Sequence, residues 1–170
     1  MDIENQAGTR GVRYAASKGL GVVVMEPILG GRLVNAPPSV QAIWDSASEQ
    51  RTPAEWALQW VWNQPEVSVV LSGMSTMQHV TENVESASRS GPGTLDPAAL
   101  ALYDQVRAEY EALCPIPCTK CEYCLPCTVG LNIPRLFDGL NRARIYQTMD
   151  EAMNRYARLC TEQWTSAMVD

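Results

Sequence analysis

The chain has 170 residues, is 46% hydrophobic and 19% charged, and carries a formal net charge of −6. That composition is globular, with length for one ordinary domain and a small appendix, and its acidic balance excludes nucleic-acid binding, which needs clustered Lys and Arg. No stretch approaches the roughly 20 apolar residues of a membrane helix, and the start MDIENQAGTR lacks the basic and apolar regions of a signal peptide, so a soluble, reducing, cytoplasmic setting is expected.

Residues from about 5 to 17 read as a short helix, with Ala7, Gly11, Tyr14 and Ala15 near one face and Gly19 and Gly21 bracketing its end. The unbroken β-branched run Val22, Val23, Val24 is the pattern of a strand buried on both faces. A loop, EPILGGRL, follows, in which Gly30 and Gly31 permit close backbone approach. Pro37 and Pro38 open a helix through Ile43 and Trp44. Thr52, Pro53 and Glu55 form a capping-box signature with proline at the first helical position. The helix they open is apolar on most sides through Trp56, Ala57, Leu58, Trp60 and Val61, as buried helices are. A second apolar strand is expected over residues 67–71. It leads through Ser72 and Gly73 into a helix whose box is Ser75 and Gln78. Short links between apolar strands and helices describe parallel βα units. After a polar Gly/Pro connector, a helix capped by Asp96 and Pro97 runs to about Leu113, and two more helices are expected from about Pro134 and Asp150. Two strands are too few to close a sheet, so the chain is expected to borrow partners or to be part of something larger.

Four of the six cysteines, Cys118, Cys121, Cys124 and Cys127, fall within ten residues in the run PCTKCEYCLPCTVGLNIP. Thiolates three residues apart on a loop can converge on one metal centre, and in a reducing compartment clustered cysteines point to metal rather than disulfides. The C-x2-C-x2-C-x2-C spacing favours a 4Fe–4S cluster, because ferredoxins wrap a cubane with a C-x2-C-x2-C run. Zinc accepts the same ligands but more often uses two separated knuckles. Cys118, Cys121 and Cys124 are the firmest ligands and Cys127 is the fourth, with Cys114 as substitute. Thr128 stands where ferredoxin-like motifs usually carry proline. Cys160, in a late helix, reads as a buried thiol. The apolar flank over residues 129–134, with Leu136 and Phe137, is suited to shield a cluster.

The segments VVVMEPILGGRL, RTPAEWALQWVW, VVLSGMSTMQHVTENV and the cysteine run occur in that order. Together they resemble the C-terminal half of the aldo/keto reductase family, in the branch with a ferredoxin-like cysteine appendix. The resemblance implies an α/β fold: the last two βα units of a (β/α)8 TIM barrel over residues 1–94, then a mostly helical iron–sulfur appendix over residues 95–170. It implies an oxidoreductase that reduces a carbonyl with NADP(H) or NAD(H). Barrel phosphate sites lie in the loops after strands seven and eight. By resemblance these loops supply Pro27, Leu29, Gly30 and Gly31, and then Ser72, Gly73, Met74, Ser75 and Gln78. Glu82 and Asn83 match the acid–amide pair near the adenosine end of the cofactor. The free N–H groups and dipole of the helix after Ser75 suit an anion.

The chain departs from the family at several points. Met25 stands where many members place an aromatic ring against the nicotinamide. His79, the one histidine, lies where NADP-dependent relatives put a basic residue, but it reads first as an exposed helix residue. The family's catalytic Asp, Tyr, Lys and His come from the first half of the barrel, and nothing here replaces them. A second cysteine motif expected in this branch is also missing, so the chain looks truncated at both ends and is not expected to reduce a carbonyl alone. A ferredoxin-like electron carrier and the missing barrel half are the implied partners. The competing reading is a non-catalytic, metal-stabilised module that binds a separate partner chain.

Overall fold

A computed structural model describes residues 7–154 and 156–158. The contacts divide the chain into two compact units, residues 1–104 and 105–170, and the division falls inside one helix.

In the first unit, α1 (Gly8–Ser17) leads into β1 (Val23–Val24), a 3-10 turn over Arg32–Val34, α2 (Pro38–Asp45), α3 (Pro53–Trp62), β2 (Val69–Val70) and α4 (Met77–Ser88). The two strands pair in parallel, Val23 with Val69 and Val24 with Val70. Ser68 lengthens the ladder by one rung, its hydroxyl oxygen accepting from the Val22 N–H at 3.1 Å. Both strands are shorter than the β-branched runs that announce them. The expected burial on both faces is also not met, since Val23 is 55% and Val69 is 47% exposed. Opposite each other in register, they form an open apolar face. Burying such a strand takes layers on both sides, and among the described residues these two strands are the whole sheet.

The core gathers on α3. Val40 and Trp44 of α2, and Trp56, Leu58 and Val61 of α3, are buried. Trp44 and Trp56 stack with centroids 4.8 Å apart, and Tyr103 meets both edge-on. Arg51 lies over the Trp56 ring at 4.6 Å. The Tyr103 hydroxyl donates to the Trp56 carbonyl at 2.7 Å. The start of α3 is as the capping signature predicts: Thr52 Oγ1 accepts from the Glu55 N–H at 3.1 Å. The return half of the box is not made, because the Glu55 carboxylate takes Arg89 instead, at 2.8 Å. Buried Gln59 ties α3 to α4 by donating to the Ser86 carbonyl and hydroxyl.

The helix α5 (Pro97–Leu113) spans the division between the units. Its start is capped by Asp96, whose carboxylate accepts from the Ala99 N–H at 2.7 Å. In the second unit the thiol run forms a loop without helix or strand, followed by α6 (Ile133–Tyr146) with Asn132 as its N-cap. Residues 149–154 and 156–158 are helical, where the last helix is expected. Cys160 lies outside the described residues.

Candidate functional site

Parallel strands emit their C-terminal loops from the same edge. Because Val24 and Val70 are partners, the segment over residues 25–31 and the segment over residues 71–76 leave side by side. Each expected phosphate-binding residue therefore belongs to one end of one sheet or to the first turns of α4.

The first loop is a succession of tight turns. Leu29 N–H donates to the Glu26 carbonyl at 3.0 Å and Gly31 N–H to that of Ile28 at 3.1 Å. Glu26, Leu29, Gly30 and Gly31 all have φ between 50° and 89°. For Gly30 and Gly31 that conformation carries no steric penalty, whereas Glu26 and Leu29 adopt it as side-chain-bearing residues, a departure that concentrates at functional loops. A Cβ built on Gly30, Gly31 or Gly73 meets nothing within 4 Å. The two loop glycines are thus demanded by backbone angle, and Gly73 by neither angle nor space. Pro27 is buried beneath the loop, while Leu29, Met74 and Ser75 are exposed.

The second loop differs from its sequence reading in one respect. Thr76, not Ser75, is the N-cap of α4, and its Oγ1 accepts from the His79 N–H at 3.2 Å. Ser75 and Gln78 are therefore not a capping box. Gln78 instead donates through Nε2 to Glu82 Oε1 at 2.7 Å, one turn along the helix. Asn83 reaches back to donate to Ser72 Oγ at 3.1 Å, joining α4 to the exit of β2. Ser72 with Asn83, and Gln78 with Glu82, are the expected residues brought into contact. His79 is exposed, and Met25 is 72% exposed.

The thiol loop is the second candidate site. Cys114, Cys118 and Cys127 are half-buried, Cys121 and Cys124 exposed, and all five are free thiols. Hydrogen bonds from the Tyr123 N–H and the Thr119 hydroxyl to the Cys121 sulfur hold its thiol below the usual cysteine range. Lys120 and Glu122, on either side, have φ of 55° and 61°. In donor chemistry the loop fits a thiolate-bound metal: four uncommitted soft ligands within ten residues. In geometry it does not, because among the described residues no three Cys, His, Asp or Glu side chains are gathered to hold a metal ion. The expected apolar shield is also partial, with Pro134 buried but Val129 73% exposed.

Two features of this loop escape sequence reading. Asn141 on α6 accepts from the Ile116 N–H through Oδ1 at 3.1 Å and donates through Nδ2 to the Ile116 carbonyl at 2.7 Å. Asp138, one turn earlier, pairs with Lys120 at 3.0 Å and Arg142 at 2.6 Å. Partial burial opposes ionisation of Asp138, but the hydrogen bond from Lys120 and the charge of Arg142 outweigh it and keep the carboxyl below the ordinary carboxylate range. The Asp138–Arg142 pair has a local i,i+4 spacing, but no local pattern marks the Asn141–Ile116 or Lys120–Asp138 contact, because those partners lie far apart in sequence.

Among the described residues no helix is long and apolar enough to cross a membrane. The family model described as Aldo/keto reductase family matches residues 4–92, just over half of the 170-residue chain. The match takes in both loops and α4 and stops before α5 and the thiols. No curated protein and no solved structure matches the chain.

Proposed function

The chain belongs to the aldo/keto reductase family, and from that premise we propose that it forms the cofactor-phosphate end of an NAD(P)H-dependent oxidoreductase whose appendix carries a 4Fe–4S cluster. The family has a TIM-barrel-type α/β fold and uses nicotinamide cofactors, and a small parallel sheet flanked by helices agrees with part of such a barrel. The observation that carries the reading is the shared edge: the two loops expected to hold phosphate leave neighbouring parallel strands together.

In this reading residues 1–94 are barrel and residues 95–170 are appendix. The open space above Gly30, Gly31 and Gly73 admits a pyrophosphate against the backbone. Pro27 and Leu29 shape the first loop, and Ser72, Met74 and Ser75 line the second. Thr76 caps the His79 N–H, the other first-turn N–H groups of a helix suit such an anion, and an N-terminal helix dipole favours its charge. Gln78 and Glu82, bonded to each other, and Asn83, bonded back to Ser72, meet the adenosine end. The family's carbonyl-reducing side chains are not among these 170 residues, so the chain's share of the reaction is to bind and orient the nucleotide.

Cys118, Cys121, Cys124 and Cys127 are proposed as the cluster ligands on donor chemistry alone; their present arrangement is not a cage. A bound 4Fe–4S group supplies one-electron chemistry, which suits exchange with a ferredoxin-like carrier in a cytoplasmic setting. One observation favours the second reading, a partner-binding module: the exposed Val23 and Val69 face is a surface that another chain could cover.

Two measurements test the proposal. NADPH-dependent reduction of an aldehyde is expected when the chain is combined with the first half of a family barrel. If neither NADPH nor NADH binds that assembly, the oxidoreductase reading is overturned. Anaerobic reconstitution with iron and sulfide is expected to give a brown protein with a broad visible band. A colourless protein that retains zinc overturns the cluster.

A further inference from the structure

The chain enters the thiol loop through Ile116, whose carbonyl is a meeting point. It accepts from the Asn141 amide at 2.7 Å and from the Cys118 N–H at 2.7 Å, and the Cys114 sulfur lies 3.6 Å away. Together with the bond from the Ile116 N–H to Asn141 Oδ1, one side chain satisfies both backbone groups of one residue, as a neighbouring strand does. One turn back along α6, Asp138 holds Lys120 at 3.0 Å. Cys118 thus lies between two anchors on the same helix, two residues from each.

The anchors differ in kind. The Asn141 contact is neutral, part-buried and made of two bonds in fixed geometry. Lys120 is 61% exposed, and ion pairs of that sort contribute little because water and salt screen them. Past Lys120, the left-handed residues 120 and 122 flank Cys121, and Cys121 and Cys124 are exposed while Cys118 and Cys127 are half-buried. This asymmetry accounts for a loop that holds the right donors without gathering them.

We infer that Asn141 is the positioning residue of the thiol loop: by holding both backbone groups of Ile116 it fixes Cys118 as the stationary thiol of the four. This rests on the proposed reading of the four thiols as one ligand set, but the arrangement itself is measurable without metal.

The test is timed iodoacetamide labelling of the reduced, metal-free full chain, resolved thiol by thiol by mass spectrometry. Cys118 is expected to react several-fold more slowly than Cys121. Asn141→Ala is expected to raise the Cys118 rate by up to about tenfold, the scale of losing two modest hydrogen bonds, with Cys121 unchanged. Asn141→Asp keeps the acceptor for the Ile116 N–H and is expected to restore part of the protection. Asp138→Asn is expected to leave Cys118 protected. Equal rates at Cys118 and Cys121 in the parent overturn the inference. So does a uniform rise at all thiols in Asn141→Ala with loss of helical circular dichroism, which marks a merely structural residue. The visible spectrum after reconstitution decides the ligand-set reading separately, so either can fail without the other.

Discussion

Tyr103 shows how one side chain joins packing to titration. Its ring closes the Trp44–Trp56 stack and its hydroxyl donates to the Trp56 carbonyl. Burial raises its pKa well above the ordinary tyrosine value; the Arg51 charge opposes the rise and Glu55 adds to it. The raised value favours the protonated folded form, so this stability is fully present below the unfolded tyrosine pKa of about 10 and is lost as pH climbs toward the folded value. Tyr103→Phe is expected to cost about 1 kcal/mol at neutral pH, the net worth of one hydrogen bond. It is also expected to flatten the decline in melting temperature between pH 9 and about 11. A thermal melt series checks both, and an unchanged alkaline slope contradicts the assignment.

At the scale of elements, caps were the legible part. Thr52, Pro53 and Asp96 announce helix starts by chemistry local to three or four residues, and α3 and α5 begin there. Thr52→Ala is therefore expected to destabilise the first unit by about 0.5–2 kcal/mol, read by urea denaturation, while the exposed pair Arg89–Glu55 is expected to matter less. Local chemistry misleads when neighbours compete. Ser75 and Thr76 both carry a hydroxyl before α4, and the backbone selected Thr76. Glu55 is correctly spaced for a full box, yet Arg89, 34 residues away, takes its carboxylate. The strands were legible in type but not in extent, because a strand is as long as its partners allow and that is not written in Val22, Val23 and Val24. The two loops after the strands were legible as loops because their glycines and their place after strands are local. The Asn141 clamp was not, because an Asn in a helix gives no hint of a partner 25 residues upstream. The four thiols were obvious in sequence, but convergence is a tertiary property that spacing only permits.

At the scale of the molecule, the first unit has a two-stranded parallel sheet with an exposed apolar face. Open strand edges invite pairing with another chain. Concentration-dependent association is expected in sedimentation velocity, and Val69→Lys is expected to suppress it while leaving helical content unchanged, since lysine guards an edge. A parent chain that stays monodisperse at high concentration contradicts this. The same sheet edge carries the account's central claim, that its two loops hold the phosphates of a nicotinamide nucleotide. The direct measurement is calorimetric titration with NADPH and NADH of the chain combined with the first half of a family barrel, beside the same assembly carrying Gly73→Ala. Gly73 has neither a left-handed φ nor a neighbour within 4 Å, so alanine there is expected to leave the melting temperature unchanged. The account predicts saturable nucleotide binding by the parent assembly and binding weakened about tenfold or more in Gly73→Ala, as a methyl group intrudes where the backbone meets phosphate. Binding that is absent in the parent assembly, or indifferent to the methyl group, contradicts it.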